Sequence, residues 1–191
     1  MIKRLFFILA CFSIVLTSSP VRAGDYQATI DVFRKAGESA GFFDSAYGYA
    51  VFPTIGKGAI GFGGAYGKGR VFEQGKPVGS SSMTQVSIGL QFGGEAFSQI
   101  VFFQDQRAFH EFTRGQFEFG AGVSAVVITA AASAGAGSSG ASAGASAGKR
   151  DATTAGKYHK GMAVFTIVKG GAMFEMSVSG QKFKYKAGDL D

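Results

Sequence analysis

The apolar positions of this chain recur first at helical spacing and then at the alternating spacing of strands. Tyr26, Ile30, Phe33 and Ala36 stand three and four residues apart and so share one face of a helix predicted over 25–39. Gly37 and Gly41 break that pattern. From Tyr47 the period shortens, and strands are predicted over 47–52, 59–66, 70–73, 84–92 and 97–103. Pro53, Gly67 with Gly69, Gly75 with Pro77, and Gly93 with Gly94 punctuate them, which predicts short turns and an antiparallel meander. Asp105 reads as the N-cap of a second helix over 106–114, with Phe109 and Phe112 on its inner face and Gly115 as its stop. A strand over 117–130 follows, then three more over 162–169, 172–179 and 182–186, separated by Gly170, Gly171 and Gly180. The expected fold class is α+β: a predominantly antiparallel sheet, sandwich or barrel-like, with an N-terminal helix and one further short helix.

Residues 59–69 carry a pattern of their own. On a strand, alternate residues share a face, so Ala59, Gly61, Gly63, Ala65, Gly67 and Gly69 leave one face nearly bare. Ile60, Phe62, Tyr66, Lys68 and Arg70 occupy the other. A bare strand face calls for a helix or another strand packed on it at close approach. Residues 131–148 are Ala, Gly and Ser alone, too little apolar surface to offset the entropy of ordering, and are expected to form a flexible loop. The other reading continues the preceding strand where only small side chains fit.

The N-terminus has the three parts of an export signal: Lys3 and Arg4, an apolar run from Leu5 to Leu16, and a small-residue exit at Val21, Arg22 and Ala23. The run falls short of the roughly 20 apolar residues of a membrane span. Cleavage after Ala23 is expected, leaving 24–191 as a single domain, exported to the periplasm or associated with the outer membrane. Cys11 follows Leu9 and Ala10 as a lipidated cysteine does, but the apolar run continues past it through Phe12 and Leu16. Without residues 1–23 the chain has no cysteine and its formal charge falls from +6 to +3. A weakly cationic exported protein suits anionic lipid head groups and lacks the dense basic stripe of a nucleic-acid binder.

Catalytic patterns are sparse. Gly56, Gly58 and Gly61 satisfy a dinucleotide fingerprint in spacing, but more glycine follows where the phosphate-binding helix is required. His110, beside Phe109 and Phe112, reads as a partly buried packing residue, and His159 as part of a solvated cluster with Lys157, Tyr158 and Lys160. No metal or cofactor is expected. Glu95, Asp105, Glu111 and Glu118 are the acids a hydrolase would draw on, with no spacing that selects a pair. Lys57, Lys68, Arg70, Lys149, Arg150, Lys157 and Lys160 stand beside glycines or beside Tyr66 and Tyr158, a mixture that suits a membrane surface because the cation meets phosphate while the ring sits at the interface.

The string AVFPTIGKGAIGFGGAYGKGR, Ala50 to Arg70, resembles the signature of the SYLF domain family, a lipid-binding module also described in fungi as actin-binding. The likeness extends through IGLQFGGEAFSQIVFFQ (88–104), FHEFTRGQFEFGAGVSA (109–125) and, in degenerate form, KGGAMFEMSVSGQKF (169–183). The family commonly has a Gly-Pro turn after the strand near Ala125, where this chain has its Ala/Gly/Ser tract. The resemblance implies a non-enzymatic, membrane-associated domain that binds anionic phospholipid, which for an exported protein means an envelope lipid or an envelope protein partner. Lys57, Tyr66, Lys68, Arg70, Lys149, Arg150, Lys157 and Lys160 are the expected contacts. A small outer-membrane β-barrel and an envelope hydrolase using paired carboxylates are the alternatives left open.

Overall fold

The computed structural model describes residues 22–119, 126–128 and 158–188, and within them the side chains of all but 90–91, 126–128 and 171–179. The export segment (with Cys11) and the Ala/Gly/Ser tract lie outside these residues, apart from Arg22 and Ala23. Helices α1 (Ala23–Lys35), α2 (Gly37–Ala40) and α3 (Phe42–Ser45) precede strands β1 (Gly48–Glu73) and β2 (Lys76–Phe103). Helix α4 (Gln106–Thr113), short strands β3 (Gln116–Phe119) and β4 (Val126–Ile128), and a long β5 (Met162–Ala187) complete the order.

The class is α+β, as expected, but the strands are far longer than the punctuation suggested. Pro53, Gly67, Gly69, Gly93, Gly94, Gly170, Gly171 and Gly180 all lie inside strands, so the predicted meander of short strands condenses into three strands of 26, 28 and 26 residues. Within 48–103 the one tight turn is Gln74–Gly75, whose φ values of 48° and 80° suit the mirror-image turn of a two-residue hairpin. Pro53 has no N–H to give and is tolerated because β1 is a sheet edge and because the register slips beside it, between Phe52 and Ile55. The Ser98 hydroxyl donates to the Pro53 carbonyl at 2.8 Å.

A straight strand of 26 residues would span roughly 86 Å. Yet the two ends of β1 touch: the Gln74 N–H donates to the Tyr47 carbonyl at 3.1 Å, and Tyr49 stacks on Phe72 with ring centroids 5.0 Å apart. The strand is therefore folded double. Its crease lies at the register irregularity between Ile60 and Phe62, where Gly61 takes a φ of 73°. Gly67 and Gly69 then lie against the strand's own earlier half; a Cβ on Gly67 would stand 3.2 Å from the Ile55 Cα, and one on Gly69 would stand 2.8 Å from the Val51 carbonyl oxygen. This is the close approach that the bare face required, supplied by the same strand.

Strands β2 and β5 follow β1 over the crease, giving a first leaf (48–59, 93–103, 162–172) and a second (62–73, 76–88, 178–187). Among the described residues the pairing runs along an open path, β1-β2-β5-β3, with β4 parallel to β5, and does not close into a barrel. Between the leaves sits a core of Phe52, Ile55, Val71, Met83, Val101, Phe103, Val164 and Phe183. Helix α4 fills its open side: Phe112 lies 4.8 Å from Phe103 of the first leaf and 5.3 Å from Phe183 of the second, centroid to centroid. The helix starts where expected, with the Asp105 carboxylate accepting from the Ala108 N–H at 2.8 Å, and stops at Gly115, φ 108°. A chain of amides also crosses the gap. Gln99 donates to Gln181 at 3.2 Å, and Gln181 donates to Gln85 at 3.0 Å. Helices α1 to α3 cover the outside of the first leaf, where Ile30, Phe33, Phe42 and Phe43 pack on Val51, Ile100, Phe102 and Phe165.

The doubled strand makes a direct prediction for stability. A Cβ at Gly69 would meet the Phe52 ring at 2.5 Å, whereas at Gly58 nothing lies within 4 Å. Gly69→Val is expected to cost about 2–3 kcal/mol in urea unfolding, and Gly58→Ala to stay within about 0.5 kcal/mol of the parent. Equal effects would show that the two halves of β1 do not meet there.

Candidate functional site

Among the described residues no helix covers the outside of the second leaf. Its outward residues form rows across three strands: Arg70 with Ser80 and Lys186, Lys68 with Ser82 and Lys184, and Tyr66 with Thr84 and Lys182. Toward the crease the chemistry changes to Gly64 with Val86, Phe62 with Ile88, and Ile60 with Phe92. One face thus carries a cationic field at its open end and an apolar field at its crease. Lys68, Lys184 and Lys186 are exposed, and among the described residues none of them forms an ion pair. Lys182 is held by Glu118 of β3 at 2.6 Å. The Arg70 guanidinium lies 4.6 Å above the Tyr26 ring, fastening α1 to the edge of this face.

Of the residues singled out in the sequence, Tyr66, Lys68 and Arg70 stand together on this face. Lys57 does not. It projects from the other side of β1, where its side chain is 7% exposed and lies 3.9 Å from Glu95, because the inward set of the first leaf there is Ile55, Lys57 and Ala59. Lys160 is exposed in the turn before β5, beside α4 and away from the three rows. Lys149, Arg150 and Lys157 lie outside the described residues. Sequence reading missed Lys184 and Lys186. The signal was present as alternation in KFKYK at 182–186, but only the register with β2 places those lysines beside Lys68 and Arg70.

The four acids considered for hydrolysis each have a structural engagement. Glu95 faces Lys57, Asp105 caps α4, Glu111 pairs with Arg107 at 3.1 Å and Glu118 holds Lys182. His110 is exposed on α4, a correction to its reading as a packing residue: the core takes Phe109 and Phe112, and the position between them turns to solvent. Among the described residues no group of three His, Cys, Asp or Glu converges as a metal site, and no helix is long and apolar enough to cross a membrane. A shallow pocket of about 470 Å³ lies between α2, α3 and Tyr158, lined by Glu38, Phe42, Ser45 and Gln104.

Comparison with known proteins decides the family. A family described as "Ysc84: Las17-binding protein actin regulator" matches residues 84–187, more than half of the chain. The chain belongs to this SYLF family. The matched region begins at Thr84 within β2 and ends with β5, so it contains the β5 lysines of the cationic rows and Thr84, while Ser80, Ser82 and β1 lie before it. The chain is also 27% identical over 158 residues to "Beta cell expansion factor A" of Aeromonas veronii, across 82% of this chain and 52% of that protein. It therefore spans about half the length of that curated relative. No solved structure matches it. Membership in a family of binding proteins and regulators supports a non-enzymatic binding role.

In this SYLF domain the helices α1 to α3 are held to the sheet by buried phenols. Burial pushes the hydroxyls of Tyr26, Tyr49 and Tyr158 above their ordinary value of 10.0, with the positive charges of Arg70 and Arg34 working against the shift at Tyr26 and Tyr49. A phenol with a higher pKa in the folded state keeps its proton after the unfolded chain has lost it. Its stabilising contribution is therefore complete below pH 10 and disappears as pH rises from there through the folded value. Urea stability is expected to decline above about pH 10, and Tyr49→Phe to flatten that decline. An unchanged slope in the variant would remove Tyr49 from the account.

Proposed function

We propose that the protein binds anionic phospholipid at a cell-envelope membrane, without catalysis, through the outer face of the second leaf. The observation that carries this reading is the union on one exposed face of Arg70, the Tyr66 ring and three lysines that have no ion-pair partner among the described residues with a field of exposed aliphatic and aromatic side chains. Lysine heads meet phosphate, their methylene stems lie along apolar neighbours, and a tyrosine ring suits the interface between them. Family membership supports the binding role, and the expected location in the periplasm or at the outer membrane supplies anionic lipid to meet it.

Co-sedimentation with vesicles of phosphatidylglycerol and of phosphatidylcholine tests the proposal. The protein is expected to bind the anionic vesicles preferentially and to release them as salt rises. Each lysine near a charged surface contributes about 1 kcal/mol, so Lys68→Gln with Lys184→Gln is expected to weaken binding about 30-fold. Lys160→Gln, off this face, should alter it less than about twofold. Equal binding to both vesicle types, or loss confined to the Lys160 variant, would overturn the reading. Binding of an envelope protein in place of lipid would appear as no sedimentation with either vesicle.

A further inference from the structure

We infer that the crease of the folded sheet is a wedge that enters the membrane, with the strands lying obliquely to the bilayer and the crease lowest. This rests on the lipid-binding reading and adds an insertion depth and an orientation to it. Ile60, Phe62, Val86, Ile88 and Phe92 are 72%, 74%, 63%, 60% and 69% exposed. They are cross-strand neighbours, since Ile60 pairs with Phe92 and Phe62 with Ile88, while Val86 lies one outward position beyond Ile88. The same strands hide their outward apolar residues elsewhere: Val51, Ile100, Phe102 and Phe165 of the first leaf lie beneath α1 to α3. A cluster of this size, which no other described residue covers, marks a contact with another apolar phase.

Charge identifies that phase. Lys68, Lys184 and Lys186 border the apolar field on the same face without ionic partners among the described residues. A second copy docked through this face would set these lysines against its own cations or its apolar side chains, which disfavours self-association. An anionic bilayer satisfies both fields, with acyl chains for the crease and phosphates for the lysines. Spacing then sets the tilt. Phe62 and Lys68 are six residues apart on β1, roughly 20 Å along the strand. An interfacial apolar surface sinks about 5–10 Å, so both groups can be engaged only if the strand leans about 60–75° from the membrane normal.

The chain contains no tryptophan, so single introduced tryptophans report depth without background. Phe62→Trp and Thr84→Trp place one probe at the crease and one in the Tyr66–Lys182 row. With phosphatidylglycerol vesicles carrying brominated acyl chains, the Trp at 62 is expected to shift to the blue and to be quenched at least threefold more strongly than the Trp at 84. Ile88→Ser with Phe92→Ser, both on the exposed face, should abolish the quenching at 62 while leaving salt-sensitive sedimentation in place. Equal quenching of the two probes, or none, with sedimentation intact would overturn the wedge and leave lipid binding standing. Absence of sedimentation would overturn both. A blue shift at 62 that grows with protein concentration in the absence of lipid would overturn the wedge in favour of a second copy.

Discussion

The fold depends on one contact, in which β1 lies backbone against backbone on its own earlier half. Only a residue without a side chain can stand at Gly67 and Gly69, because the space a methyl would need is filled by Ile55, Phe52 and their carbonyl neighbours. Once those positions are bare, a strand too long for a small domain can be halved in length, and its hydrogen-bonded partners are carried over the same crease. The aromatic core between the leaves and the plug formed by α4 follow from that geometry. So does the amide chain through Gln85, Gln181 and Gln99, which satisfies polar groups drawn into the interior.

Folding a sheet on itself gives it one inside and two outsides, and here the outsides have different fates. The first is dry, covered by α1 to α3 through Phe33, Phe42 and Phe43. The second is left open among the described residues, with its cations near the helices and its apolar side chains near the crease. Arg70 stands at the boundary: its guanidinium covers Tyr26 of α1 while its row-mates Ser80 and Lys186 face outward. The proposed binding surface is a part of the sheet that the described helices do not reach, and it needs no pocket.

Much of this was legible in residue order. Asp105, Phe109, Phe112 and Gly115 specified α4, because a cap, an apolar face and a stop are local signals. The bare face of 59–69 correctly demanded a close neighbour, and Tyr66, Lys68 and Arg70 were placed together by alternation alone. The glycines misled where they were read as turns, since the same residue both ends a strand and lets one bend, and which it does here depends on cross-strand register. Register is also what brings Lys184 and Lys186 to Lys68, and what turns Lys57 inward to Glu95. These placements rest on pairings between residues 38 positions apart for Lys57 and about a hundred apart for the β5 lysines, which no local pattern encodes.

The position of β5 has a consequence for how the molecule forms. Strands β1 and β2 join through a two-residue turn and can pair as soon as both have left the ribosome, yet β2 keeps one whole side unpaired until β5 arrives; Gly79 waits for Ala187. Among the described residues that central strand is also the only partner of β3 and β4. During the interval a hairpin of more than fifty residues displays an open hydrogen-bonding edge beside exposed phenylalanines, a combination that invites pairing with foreign strands. Assembly of this sheet is thus a late, non-local event, and the nascent chain is most vulnerable to aggregation just before it closes.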